Sequence, residues 1–267
     1  MGASVGAAAK AAGLRVVWAS ERRSEATRQR AEAAGLDDVG SVASLCEASD
    51  VVVSVCPPAS AADLARTVAA AGFSGIYVDA NAVAPDTIRG IAAGFPDGVR
   101  FVDGGLIGPP ARREGTTRLH LSGNAAPEVA ACFSGSLLEA HLVPGGVGAA
   151  SALKMVFAAQ TKGHSALLAA TLAAAAGHGV EAELLAEWEK TQPALVGRAQ
   201  GMAPMLAAKA WRFEGEMREI ADTFRAAGLP PGFHEAAAEI YARLAGFKDR
   251  AAPELAELLA RLRKTTE

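Results

Sequence analysis

Gly145-Gly146-Val147-Gly148-Ala149-Ala150-Ser151-Ala152-Leu153-Lys154 is the stretch on which the reading of this chain turns. A glycine-rich approach opens a long alanine and leucine-rich helix, and one lysine stands six residues past Gly148 in apolar company. Most helical lysines carry the ammonium out to solvent along an apolar stem. One held in apolar surroundings near a cleft has a lowered pKa and serves as an acid or a base. Lys154 is therefore the candidate catalytic residue.

The chain changes character on either side of that stretch. Before Pro144, short β-branched runs alternate with helical segments, the pattern of βα units that build a mostly parallel sheet. Strands are expected over 14–19, 50–55, 75–79, 100–103, 118–122 and 141–143, with helices over 3–12, 24–34, 59–71, 85–93 and 127–132. After Gly146 the strand signal ends. Helices are expected over 149–177, 181–190, 192–200, 213–227, 233–245 and 253–263, punctuated by Gly228-Leu229-Pro230-Pro231-Gly232. The fold class is α/β, a Rossmann-like doubly wound sheet over 1–144 followed by an all-α domain over 145–267. In such sheets the first strand is central, yet here a helix begins at Gly2. The sequence predicts a sheet without its first strand, a natural product that starts upstream, and weaker cofactor binding by the chain as given.

Composition narrows the function. With 267 residues, 51% hydrophobic and 21% charged, the chain has a core and is not disordered. A net charge of −3 excludes the basic surface that nucleic acid needs. The most apolar stretch, 166–176, falls well short of the roughly 20 residues that span a bilayer, so no membrane partner is expected. Three cysteines without a CxxC pair suit neither a disulfide framework nor a metal site, and point to the cytoplasm.

Candidate binding residues cluster at strand ends. Gly2 opens a helix whose N-terminus suits a pyrophosphate. Ser20, Arg22 and Arg23 follow the next strand, where an acidic residue would choose NAD; two arginines suit the 2′-phosphate of NADP(H) instead, with NAD(H) as the second option. Cys56-Pro57 and Asn81 lie at carboxyl ends of strands, Cys56 as a small packing residue and Asn81 as a donor and acceptor for nicotinamide or substrate. Asp103-Gly104-Gly105 and Gly108 form a glycine-dense stretch whose amides can approach an anionic ligand.

In their order these elements resemble the β-hydroxyacid dehydrogenase (6-phosphogluconate dehydrogenase-like) family over nearly the whole chain. Met1-Gly2 resemble the end of its GxGxMG opening. Asp103 to Pro109 with Gly115-Thr116 resemble its DAPVSGG-like substrate loop, and Gly148 to Lys154 its lysine helix. Arg218-Glu219-Ile220 resemble its late cofactor-reaching segment. The resemblance implies Lys154 as acid or base, Arg218 at the cofactor, and Asp103, Gly104, Gly105, Ile107 and Gly108 at the substrate. It implies NADP(H)-dependent hydride transfer between nicotinamide and a small hydroxyacid or alcohol and its carbonyl counterpart, with imine reduction or a non-catalytic nucleotide-binding relative as alternatives. Two departures stand out. Ile107 replaces the loop serine, and Met155-Val156-Phe157-Ala158 replace the asparagines that follow the lysine, so Gln160, Thr161, Lys162 and His164 are the candidate substitutes, with Thr161 taken as the substrate contact. The segment 211–220 with Gly232-Phe233-His234 is similar to an uncharacterised phosphogluconate dehydrogenase-like C-terminal subgroup; its aromatics are expected in the core, and Glu216, Glu219 and His234 at the surface. The apolar helix over 149–177 predicts a homodimer through the helical domain.

Overall fold

The computed structural model describes residues 1–263. Two compact units meet at 155/156, inside one helix, so the first unit takes in the approach Pro144 to Met155 as well as the sheet.

The first unit runs α1 (Gly2–Ala11), β1 (Val17–Trp18), α2 (Glu25–Ala33), β2 (Asp37–Asp38), α3 (Val42–Glu47), β3 (Val51–Ser54), α4 (Ala61–Ala70), β4 (Ile76–Asp79), α5 (Pro85–Ala93), β5 (Arg100–Ile107), β6 (Thr117–Ser122), α6 (Ala126–Ala131) and β7 (Leu138–Leu142). β1 and β2 pair in parallel as a two-stranded sheet. A five-stranded sheet has the order β3-β4-β5-β6-β7, parallel except for the antiparallel pair β5-β6. Among the described residues no strand joins β1 to β3, so the sheet is divided where a doubly wound fold would place its first strand.

Near-continuous apolar strands call for cover on both faces. On one face Val5 and Ala8 of α1 and Val129 of α6 pack on Val78, Val102, Leu119 and Leu121. On the other, Ala61, Val68 and Ile88 pack on Val52 and Tyr77. Each fully buried valine, leucine or isoleucine among them contributes roughly 1.5–3 kcal/mol before chain entropy is counted.

Several elements differ from the sequence expectation. β2 and α3 are additional: two exposed aspartates carry no apolar pattern, and a six-residue helix is too short to show one. β1 is shorter than expected. β5 is longer: residues 104–107, expected as loop, stay in the ladder opposite β6. Two glycines weaken a strand's intrinsic signal, and the partner strand supplies what the local sequence lacks.

The second unit holds the rest of α7 (Ala149–His178), then α8 (Glu181–Thr191), α9 (Pro193–Ala226), α10 (Gly232–Leu244) and α11 (Leu255–Arg263). The break expected between 200 and 213 is absent, and α9 runs unbroken through Pro204. An internal proline costs about 3 kcal/mol; burial of Met202, Ala203, Leu206, Ala207 and Ala210 around it offsets that loss. Glu216 and His234, expected at the surface, are buried. Glu216 pairs with Lys162, whose ammonium lies 5.0 Å from the Phe213 ring centroid. The His234 ring sits 4.2 Å from Phe224 and edge-on to Phe233. No helix among the described residues is long and apolar enough to cross a membrane.

Candidate active site

The carboxyl ends of β3 and β4, the middle of β5 and the start of α7 define the candidate site, all within the first unit. Asp103 at β5 is fully buried. Its carboxylate accepts from the amides of Gly148 (2.9 Å) and Ser151 (3.0 Å) and from the hydroxyls of Ser151 (2.6 Å) and Ser122 (3.0 Å). The Ser122 hydroxyl in turn accepts from Ala150 N (3.1 Å). The first amides of a helix have no partner of their own. Here two sheet residues serve as the cap of α7, and a carboxylate at a helix N-terminus is electrostatically favoured. Asp103, expected at the substrate, instead anchors the helix.

The glycines after it allow that helix to lie on the sheet. A Cβ on Gly105 would stand 2.8 Å from the carbonyl oxygen of Ala150 and 3.0 Å from the Cβ of Lys154. On Gly104 it would stand 3.1 Å from the Asp79 oxygen. Close approach of backbone, not an open anion cradle, is what these positions require: Gly104, Gly105 and Ile107 stand in the ladder opposite Leu121, His120 and Arg118, and Ile107 is buried. Gly108 has φ 119° and would press a side chain onto the Thr116 carbonyl, so it shapes the turn. Lys154 is half-buried over Gly105.

Next to β5, Asp79 of β4 is also fully buried. One oxygen accepts from Asn81 N (3.0 Å); Oδ2 has no hydrogen-bond partner. Burial pushes the carboxyl up to about 6, helped by the charge of Asp103. Asn81 is 3% exposed and committed at both ends: its oxygen accepts from Cys56 N (2.5 Å), and its amide donates to the Ser54 hydroxyl (2.8 Å). Asn81, expected to face a ligand, clamps the Cys56-Pro57 turn to β4. Cys56 is half-buried, and burial raises its thiol pKa, as suits a packing residue.

The dinucleotide side has a matching layout. Gly2 sits against the end of β3, where a Cβ would lie 3.7 Å from that of Val55. α1 has no capping side chain and no acidic residue in its first turn. Ser20, expected at the 2′-phosphate, is 5% exposed; its hydroxyl and the Gly40 amide hold the Asp38 carboxyl below the usual carboxylate range. Arg22 and Arg23 are exposed, Arg22 in the left-handed region at φ 56°, and the charge of Arg23 reaches Cys56. A helix N-terminus without a side-chain cap, with Arg23 reaching the neighbouring end of β3, fits a nicotinamide dinucleotide.

Two expected residues belong to the second unit. The Thr161 hydroxyl donates to its own helix carbonyls, Phe157 and Ala158, and Arg218 is ion-paired with Glu214 on α9. Conversely, sequence reading gave no role to Ser122, Ser151, His120 and His141, and took Asp79 only as part of the strand end that carries Asn81. The signal for His120 was its place between Leu119 and Leu121, since strict alternation puts the polar member on the opposite face.

A Rossmann-like sheet, a helix N-terminus at its edge and a lysine helix capped by the sheet itself give the architecture of a hydroxyacid dehydrogenase-like fold. Residues 175–244 match a domain of unknown function, DUF1932. A 28.5 kDa uncharacterised protein of Methanothermus fervidus is 33% identical over 175 residues, 64% of this chain; the match spans 65% of the relative, just under two thirds of its length. A conserved protein of unknown function, described as structurally similar to 3-hydroxyacid dehydrogenases, is 27% identical with a TM-score of 0.63, covering 92% of this chain and 93% of its own. The 3-hydroxyisobutyrate dehydrogenase of Mycobacterium tuberculosis shares the fold at 19% identity, with a TM-score of 0.69 over 99% of this chain and 96% of its own. These matches support a β-hydroxyacid dehydrogenase-like fold for the chain.

Proposed function

We propose that the protein is an NADP(H)-dependent oxidoreductase acting on a small hydroxyacid or alcohol, or on the carbonyl compound that corresponds to it, with Lys154 as acid and base. The observation that carries this reading is the seating of Lys154 on Gly105, at a helix start pinned by Asp103 and Ser122. A bound nicotinamide supplies or accepts the hydride. Gly2 and the α1 amides hold the pyrophosphate, Arg22 and Arg23 meet the 2′-phosphate, and the Asn81 clamp holds the Cys56-Pro57 turn beside them. Lys154 gives a proton to the oxygen as a carbonyl is reduced, and takes the hydroxyl proton in the reverse direction.

The test combines cofactor titration by fluorescence with hydride transfer measured on a panel of hydroxyacids, aldehydes, ketones and imines. NADPH is expected to bind more tightly than NADH. Lys154→Met is expected to keep NADPH affinity and lower turnover by about a hundredfold or more. Lys154→Arg is expected not to rescue, because arginine stays protonated. Near-normal hydride transfer by folded Lys154→Met protein removes the lysine from the mechanism.

A further inference from the structure

The register of β5, β6 and β7 carries a row of titratable side chains away from Lys154. Gly105 stands opposite His120, and His120 is in register with His141. Residues so paired project on the same face. That face is the one on which α7 lies, since the Gly105 Cβ direction meets Lys154. Directly opposite residues hold their Cβ atoms about 4.5–5.5 Å apart, so Lys154 and His120 occupy neighbouring places on it. The imidazoles of His120 and His141 stack with centroids 5.6 Å apart and planes 28° apart. Glu139, two residues before His141 and on the same face, meets its ring at 3.5 Å. His120 is half-buried and His141 exposed, so the row runs from under the helix to solvent.

We propose that His120 is a positioning residue that returns the proton to Lys154, and that His141 passes it in from solvent. The proposal rests on Lys154 being the acid–base group. During reduction the carbonyl carbon gains a hydride and the oxygen takes a proton from the Lys154 Nζ. The Nζ lone pair then takes a proton from the His120 imidazolium, and His120 is reloaded through His141 or water. One hydride and one proton are added to the carbonyl, the proton drawn from bulk; oxidation runs the row in reverse. The groups on the face of His120 are Arg118 on its own strand, His141 and Glu139 on β7, and Lys154 on α7, whose stem lies over Gly105. Burial first, then the charges of His141 and Arg118, hold the His120 pKa below its ordinary value, which makes its imidazolium a ready donor.

The first measurement needs no substrate. NMR titration of the histidine ring protons in the full chain is compared with Lys154→Met and His141→Gln. Removing the neighbouring ammonium is expected to raise the His120 midpoint by about half a pH unit or more; an unchanged midpoint in Lys154→Met overturns the proposal. The second uses a substrate from the panel above. His120→Ala is expected to lower turnover roughly tenfold, with added imidazole restoring it and the pH profile shifted. His120→Met fills the space without a proton and is expected to stay slow with imidazole. Normal turnover by both variants overturns the relay even where the titration shows coupling. A panel without any hydride transfer overturns the dehydrogenase reading and the relay with it, leaving a measured Lys154–His120 coupling as a property of the site alone.

Discussion

The carboxyl end of β4 and the middle of β5 place the same residue in the same setting and use it in opposite ways. Asp79 and Asp103 are in register on adjacent parallel strands, and both are fully buried. Asp103 collects four donors from β6 and α7, whereas Asp79 has one oxygen bonded to Asn81 N and the other without a partner. Burial is the same for both; the supply of hydrogen-bond donors is what differs. Donors are present at β5 because α7 begins there, and a helix start brings amides that need acceptors. β4 ends in a turn that offers one amide. Asp103 thereby serves as an anchor, while the buried Asp79 carboxyl, short of donors, is pushed up to about 6.

The comparison breaks first at Asp103. Asp103→Asn presents an amide to four donors and leaves several of them unsatisfied, with an expected loss of about 3–5 kcal/mol. Urea unfolding followed by circular dichroism measures it, and a loss under about 1 kcal/mol would mean that the cap of α7 does not depend on this carboxylate. Asp79 is expected to act through pH. Its folded pKa of about 6 lies above its ordinary value of 3.8, so the folded state binds the proton more tightly than the unfolded state. The associated stability is complete below pH 3.8 and is lost as pH rises through about 6, a difference of about 3 kcal/mol by pH 7. Thermal unfolding of wild type and Asp79→Asn from pH 4 to 7 sharpens this point. The variant should lose that downward component; parallel curves would show that Asp79 does not titrate in this range.

The glycines between the anchor and Lys154 give the smallest effect. Gly105→Ala pushes a methyl against the Ala150 carbonyl and the Lys154 stem, with an expected cost of about 1–3 kcal/mol and a displaced lysine. Gly104→Ala meets its neighbours at 3.1–3.3 Å and is expected to cost less. The reverse order in melting temperature would put the tighter contact at β4 instead of α7.

The alternation of apolar strands and helices, and its end after Gly146, were legible because both faces of the sheet and the α7 helix impose a composition on their residues. That Lys154 lies on a helix was legible for the same reason, since alanines and leucines surround it in sequence. The direction in which a polar side chain is spent was not legible. Asn81, Ser20 and Asp103 carry the chemistry of ligand contacts, and all three are consumed by neighbours 18 to 48 residues away in sequence. Such pairings follow from register and helix placement, which no local pattern records. The merging of 192–227 into one helix around Pro204 was hidden likewise, since the stabilising burial comes from tertiary packing, not from propensity.

β6 runs against its neighbours, and the chain between Gly108 and Thr116 that reverses it sets which way its side chains point. Strand periodicity is two. A connection one residue longer or shorter that kept the ladder would exchange Leu119 and Leu121 for His120 and Arg118, moving leucines to the α7 side and histidine into the apolar layer beneath α6. The length of a surface turn thus behaves as a parity bit for the interior. A change in its count by one rewrites an entire face.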